Sequence, residues 1–346
     1  MDGNFSFSDT VTQKNIKTVE TGLYIEDDWT ISNNLKVNFG LHYASFLLQD
    51  KSYHSLQPRV SSRWLLPKDW SIKGSFATMQ QYINLLAFEG IGLPTDLWVP
   101  TTDRIKPQDS WQVALGVAKS LGSEYEFSTE IYYKKMKNLV AYKDGQGVFQ
   151  SDDWQNRVTQ GDGEAYGLEV FLQKKEGRLS GWIGYTLAYA YRQFDEIDEG
   201  RKFPYRFDRR HDISIVANYN ITKKINFAAT WVYGTGNAVT LAGTKVESHN
   251  QNASNPFSNF NNYDVFGQRN NFRLRPYHRM DIGFNFTKQK KHYERIWSFG
   301  AYNTYANNNP FFVYFDTETI NNERVTKLKQ VALFPLVPYI TYTANF

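Results

Sequence analysis

Leu35-Lys36-Val37-Asn38-Phe39-Gly40-Leu41-His42-Tyr43 decides the fold: every second residue is apolar, and each one between is polar or small. Successive side chains of a β-strand point to opposite faces, so this segment has one apolar and one polar face. The pattern recurs. Tyr125, Phe127, Ile131 and Tyr133 alternate with Glu124, Glu126, Ser128, Glu130 and Lys134. Ile183, Tyr185, Leu187, Tyr189 and Tyr191 alternate with Gly184, Thr186, Ala188 and Arg192, and Met280, Ile282, Phe284 and Phe286 lie opposite Arg279, Asp281 and Asn285. Period 2 over about ten residues predicts strands, and hence an all-β fold.

Strand length separates two all-β architectures. Sandwich strands typically run about five or six residues, whereas a strand crossing a membrane needs about nine to eleven. Thirteen strands are predicted, near 17 to 30, 34 to 46, 56 to 66, 70 to 83, 107 to 119, 124 to 136, 163 to 174, 179 to 192, 207 to 221, 224 to 235, 276 to 287, 294 to 315 and 330 to 346. The segment Ala306-Asn307-Asn308-Asn309-Pro310 is read as a kink within the twelfth. Connections alternate in length. Short ones fall near Ser32-Asn33-Asn34, Pro67-Lys68-Asp69, Gly122, Glu176-Gly177, Lys223-Lys224 and Lys290-Lys291; long ones run over 45 to 56, 84 to 107, 137 to 162, 193 to 206, 235 to 275 and 316 to 329. Short periplasmic turns and long external loops are the pattern of an antiparallel transmembrane β-barrel in the bacterial outer membrane. An odd number of strands would close parallel, whereas single-chain bacterial barrels have even counts, so these strands are expected to be a portion of a larger barrel.

Composition agrees. Mean hydropathy is -0.55 although 16% of residues are aromatic, with 23 Tyr, 25 Phe and 9 Trp. Barrel strands keep the average low by alternation, and amphipathic rings gather at the two membrane interfaces. No run approaches the roughly 18 apolar residues of a spanning helix. With no cysteine, the chain has no disulfide framework, thiol nucleophile or thiolate metal site. The formal charge of +4 is spread along the chain without the basic block that grips nucleic acid. The start at Met1 lacks the charged and apolar regions of a secretory signal, so a preceding segment is expected.

Several segments resemble one family. They are Leu23-Tyr24-Ile25-Glu26-Asp27-Asp28-Trp29; Gln57-Pro58-Arg59-Val60; Leu93-Pro94-Thr95-Asp96-Leu97-Trp98-Val99-Pro100; Tyr132-Tyr133-Lys134-Lys135-Met136; Arg206-Phe207-Asp208-Arg209-Arg210-His211-Asp212; and the terminal Phe334 to Phe346. Together they resemble the TonB-dependent outer-membrane transporters of the Bacteroidetes-like type. The resemblance implies a 22-stranded barrel, of which these strands are the C-terminal portion. The plug and first strands of that family are missing from the sequence. It also implies import of a scarce nutrient such as a glycan, siderophore or cofactor, and a partnership with the TonB complex made only through the plug. The lipid bilayer, the barrel-assembly machinery and a surface lipoprotein are the other implied partners. Phe346 and Tyr342, on one face of the last strand, resemble the signal that the assembly machinery reads.

No residue set points to catalysis, a resident cofactor or a metal. The six histidines are scattered without ligand spacing. Glu126 and Glu130, with Arg192, Asp212, Arg279 and Asp281, are expected to face the lumen, since an Arg or Lys at the lipid midplane costs roughly 2 to 4 kcal/mol. The candidate substrate contacts are loop residues, Asp96, Trp98, Tyr142, Trp154, Tyr263 and Phe266, set among Phe88, Phe149, Phe257 and Phe260. Aromatics on polar loops stack on sugar rings or chelate ligands, or else pack the loops together. Two other classes compete: a plug-less passive porin or structural barrel, and a soluble all-β carbohydrate-binding protein. The second would leave exposed an apolar face larger than soluble monomers tolerate.

Overall fold

A computed structural model describes residues 16–346 other than 88–95, 145, 147–152, 250–259 and 321–322, with the backbone alone for 242–249, 260–266, 320 and 323–324. Alternation dictates the architecture. Thirteen strands, each antiparallel to the next, form one wall: β1 (Val19–Thr30), β2 (Leu35–Leu47), β3 (Ser52–Leu66), β4 (Trp70–Gln81), β5 (Gln108–Leu121), β6 (Tyr125–Tyr142), β7 (Val158–Lys174), β8 (Leu179–Gln193), β9 (His211–Thr222), β10 (Ile225–Gly234), β11 (Tyr277–Gln289), β12 (Glu294–Tyr302) and β13 (Val337–Asn345). The short strand Phe203–Pro204 adds to β8. Four two-stranded pieces lie off the wall, and all four belong to the connections at one end.

Register joins apolar row to apolar row. Leu23 of β1 lies opposite Tyr43 of β2, which lies opposite Leu56 of β3. Phe76, Val113, Tyr133, Tyr166 and Tyr189 continue such a row from β4 to β8. One face of the wall is therefore continuously apolar. Leu115 is 51% exposed, Ile131 54% and Ile183 46%, although each sits mid-wall with strands on both sides. An apolar face of this extent requires lipid, not water.

Aromatic rows mark the two interfaces. Toward the long loops, Trp111, Tyr133, Tyr166 and Tyr189 follow one another with centroid separations of 5.5, 6.4 and 5.0 Å. Toward the short turns, Lys119 lies over Trp70 and Lys174 over Tyr125. From Tyr125 to Tyr133 the strand covers roughly 27 Å. At a barrel tilt of about 35–45° that is roughly 20 Å of height, close to the apolar band of such walls.

Among the described residues, the two outer strands pair on one side only, β1 with β2 and β13 with β12. With thirteen antiparallel strands, both run in the same direction.

Three details differ from the sequence reading. The connection expected over 45 to 56 is only residues 48 to 51, because β2 continues to Leu47 and β3 begins at Ser52. Residues 137 to 142 and 158 to 162, expected as loop, extend β6 and β7 beyond the wall. The twelfth strand is broken, not kinked. It ends at Tyr302, where Asn303 adopts φ 53° and its N–H donates to Asp281 at 2.9 Å, while its Nδ2 donates to the carbonyls of Asn307 and Phe334. Pro310–Ile320 then pairs with Glu323–Ala332 as a separate hairpin, and the last wall strand begins at Val337 instead of near 330.

Candidate functional site

The buried apolar side chains of this chain lie mostly outside the wall, in the long connections. Their scaffold is the arm formed by the ends of β6 and β7. A β-bulge between Met136 and Leu139 interrupts the pairing, with Asn138 at φ 57°. Its Nδ2 donates to the Pro107 carbonyl at 3.0 Å, which ties the bulge to the preceding loop. Bulges commonly bend a strand where a wall gives way to a rim. Beyond it, Leu139-Val140-Ala141-Tyr142 is continuously apolar, and each of the four is buried. Val140 and Tyr142 pack with Leu86, Val99, Ile105 and Val158; Leu139 and Ala141 pack with Phe194, Ile197 and Phe203. The arm is thus a strand with an apolar cluster on each face.

Polar ties lock the same loops together. Arg104 pairs with Asp153 at 2.7 Å, and Thr102 Oγ1 donates to Gln155 at 2.7 Å. Asp144 accepts from the Asp198 N–H at 3.0 Å and from Arg269 at 3.2 Å, linking three connections. Glu196 pairs with Lys143 at 2.7 Å, and this ammonium holds the carboxyl below the usual carboxylate range. On the hairpin after β12, Asp316 and Glu318 both bind Lys329, which raises its pKa.

The segment Arg206-Phe207-Asp208-Arg209-Arg210-His211-Asp212 is an anchor. The Asp208 side chain is fully buried; it accepts the Ala190 N–H at 2.7 Å and Arg210 at 3.2 Å, and it pairs with Arg273. Arg210 also stacks over Tyr189 at 3.5 Å, and Arg192 over Tyr205 at 3.5 Å. A buried carboxylate with two guanidiniums and a backbone donor is fully engaged.

The six loop candidates fall into different settings. Asp96 pairs with Arg206 at 3.4 Å and so bridges two connections. Tyr142 is 3% exposed within the arm, and Trp154 packs against the same cluster. Trp98, 63% exposed on the strand Leu97–Pro100, is open to solvent. Tyr263 and Phe266 lie in the strand Phe260–Phe266, with side chains outside the described residues, as is that of Phe260. Phe88, Phe149 and Phe257 lie outside the described residues altogether.

On the polar face, Glu126 pairs with Lys175 at 2.7 Å. Glu130 lies opposite Gly116 and Glu169 in register. Arg279 pairs with Asp281 at 3.0 Å and donates to Tyr302 at 2.6 Å, and Asp212 lies near Arg209 at 3.6 Å. At the chain end, Tyr342 meets Trp297 edge-on at 4.9 Å, and Phe346 lies 5.6 Å from Tyr293. Sequence reasoning missed the arm. Its signal was present in the change from alternation to the unbroken apolar run 139–142, which marks a strand buried on both faces.

An apolar outer face between two aromatic rows, with packed loops at one end, defines an outer-membrane β-barrel of the receptor type. Residues 2–328 match the family model described as TonB dependent receptor-like, beta-barrel, and the chain belongs to that family. Among solved structures it is similar to the ferric yersiniabactin uptake receptor FyuA from Yersinia pestis, with TM-score 0.61 and 12% identity, over 95% of this chain and 46% of that one. It is similar also to the ferric-catecholate import receptor Fiu from E. coli, with TM-score 0.58 and 13% identity over 95% and 44%. A third is the FrpB iron transporter from Neisseria meningitidis, with TM-score 0.56 and 13% identity over 96% and 45%. The chain spans less than half the length of each. No match was found among curated proteins. The family and these neighbours are outer-membrane transport receptors, not enzymes, and the localisation is the bacterial outer membrane.

Proposed function

We propose that this chain is the C-terminal barrel portion of a TonB-dependent importer whose packed external loops gather a scarce nutrient. The observation that carries this reading is the polarity of the wall. The connections opposite the short turns hold the dry clusters around Val140 and Phe194, and among the described residues the short-turn end has no counterpart. That is the arrangement expected of a folded mouth at the external end of a barrel. Among glycan, siderophore and cofactor, an iron chelate is favoured, because the similar structures carry uptake or iron transport in their names. Among the described aromatic candidates, Trp98 is exposed at the mouth and accessible for stacking.

The wall also supports a larger whole. Two outer strands running in the same direction are joined antiparallel by an odd number of further strands, and nine would complete a 22-stranded barrel. Those strands and a plug would lie in sequence outside this chain, and coupling to TonB would pass through that plug. Phe346 and Tyr342, at the end of β13, are suited to recognition by the barrel-assembly machinery.

The experiment sequences the coding region preceding Met1 and supplies the whole reading frame to iron-limited cells lacking their own receptors. A plug with nine strands, and growth on one of a panel of ferric chelates that is lost with Trp98→Ala, would support the reading. An unrelated preceding gene, or passive uptake of all small solutes alike, would instead favour a plug-less porin.

A further inference from the structure

The hairpin of Ile83–Leu86 and Leu97–Pro100 has polar residues inside and apolar ones outside. Asn84 pairs with Val99 and Leu85 with Trp98, so successive pairs point to opposite faces. The outer face carries Ile83, 50% exposed, and Trp98. The inner face, turned to the arm, carries Asn84, Leu86 and Val99, and Thr101 follows on the same side; all four are enclosed, Asn84 and Thr101 completely. Burial ordinarily selects the reverse arrangement.

Enclosure leaves three polar atoms unmatched. Asn84 Oδ1 and Nδ2 and Thr101 Oγ1 have no hydrogen-bond partner, whereas Thr102, one residue on, donates to Gln155 at 2.7 Å. Groups buried without a partner weigh against the closed state by their desolvation cost. What holds the hairpin down is slight. It has two strands of four residues, with no third strand among the described residues, a size that is marginal alone. Leu86 and Val99 pack with Val140 and Tyr142, and toward the far end Asp96 meets Arg206 at 3.4 Å. The base is firm: Tyr82 stacks on Phe46 at 4.7 Å, and the Tyr53 hydroxyl donates to the Thr102 carbonyl at 2.7 Å.

We propose that this hairpin is a lid, hinged at its base, that lifts from the arm and wets Asn84 and Thr101. Opening gives the three unmatched atoms hydrogen bonds to water and uncovers Leu86 and Val99 in exchange, so the closed state is only modestly favoured. Trp98 rides on the outer face, and a solute stacked on it moves with the lid. The motion itself is independent of which solute the receptor takes.

The chain has no cysteine, so Thr101→Cys supplies a single thiol that is shielded while the lid is down. In the full-length protein in a non-ionic detergent, a maleimide should label it under native conditions, while Ala141→Cys, within the arm, stays unlabelled. Adding Asn84→Leu, which removes two unmatched atoms at near-equal volume, should slow the labelling about tenfold. An unaltered urea midpoint of the wall shows that each variant is folded. Amide hydrogen exchange of the unsubstituted protein should agree, running faster at 83–86 and 97–101 than at 139–142. Labelling only once urea unfolds the wall, or equal labelling of Ala141→Cys, would overturn the proposal. So would labelling that is no slower with Asn84→Leu, which would mean that Asn84 is satisfied where it lies.

Discussion

The wall and the loop assembly bury their apolar residues in opposite ways. In the middle of the wall small residues such as Ala114 and Ala118 are buried, while large apolar side chains such as Leu115, Ile131 and Ile183 are exposed on the outward face. In the connections, Leu86, Val140, Phe194, Ile197 and Phe203 are almost wholly enclosed, as in a water-soluble protein. The wall is held by backbone ladders and by lipid, the loops by a dry core and ion pairs. The lesson is that one chain applies two solvent rules, and the boundary falls at the Asn138 bulge.

The largest expected effect is at the loop anchor. Asp208→Ala leaves the half-buried Arg210 and Arg273 without their carboxylate, a loss approaching about 3 kcal/mol. Limited proteolysis should cut within 194–210 and 235–275, while the far-ultraviolet β signal of the wall persists. Loss of both together would show that wall and loops are one cooperative unit. Next, Val117→Arg places a cation on the apolar face midway between the aromatic rows, at roughly 2–4 kcal/mol. The cost should appear in urea unfolding from lipid vesicles; an unchanged midpoint would mean that this face does not meet lipid.

A smaller contrast sharpens the point. Ile197→Val, in the loop core, should cost about 0.5–1.5 kcal/mol by the cavity it leaves. Ile183→Val, on the lipid-facing wall, should change stability by less than about 0.5 kcal/mol, because lipid fills the space. Equal losses would erase the proposed difference between the regions. Smallest is the effect of pH. The folded pKa of Glu196 is depressed by Lys143, so its stabilising contribution is present above the ordinary carboxylate range and is lost as pH falls through the lowered value. Proteolysis of 143–157 and 194–210 should quicken over that acidic window, and Glu196→Gln should remove the dependence. Both groups are substantially exposed, so the change is modest.

This division also explains what the sequence revealed. Alternation such as Leu35 to Tyr43 is a local signal, and it placed the thirteen wall strands in order, but it misplaced the ends of β6, β7 and β12 and the start of β13. The β12 break escaped it, because Phe311 to Phe315 are apolar whether they continue a wall or start a separate hairpin. What fixes the break is Asn303, whose partners Asp281 and Phe334 are distant in sequence. The loop site was less legible for the same reason. Asp96 and Tyr142 read as exposed contacts, yet one is tied to Arg206 and the other packs on Leu86, both contacts made across loops. Histidines that seemed scattered share a role: His54, His211 and His278 each meet a tyrosine hydroxyl, of Tyr43, Tyr185 and Tyr305, at the loop end of the wall.

The absence of cysteine allows a clean test of the two faces. Single substitutions Leu115→Cys and Gln112→Cys, on β5 with opposite orientation, would carry an environment-sensitive fluorophore in the full-length protein in outer-membrane vesicles. The account predicts that the probe at 115 is quenched by a lipid-borne quencher and shielded from aqueous iodide, and that the probe at 112 shows the reverse. Equal quenching of both by iodide would contradict a lipid-facing wall.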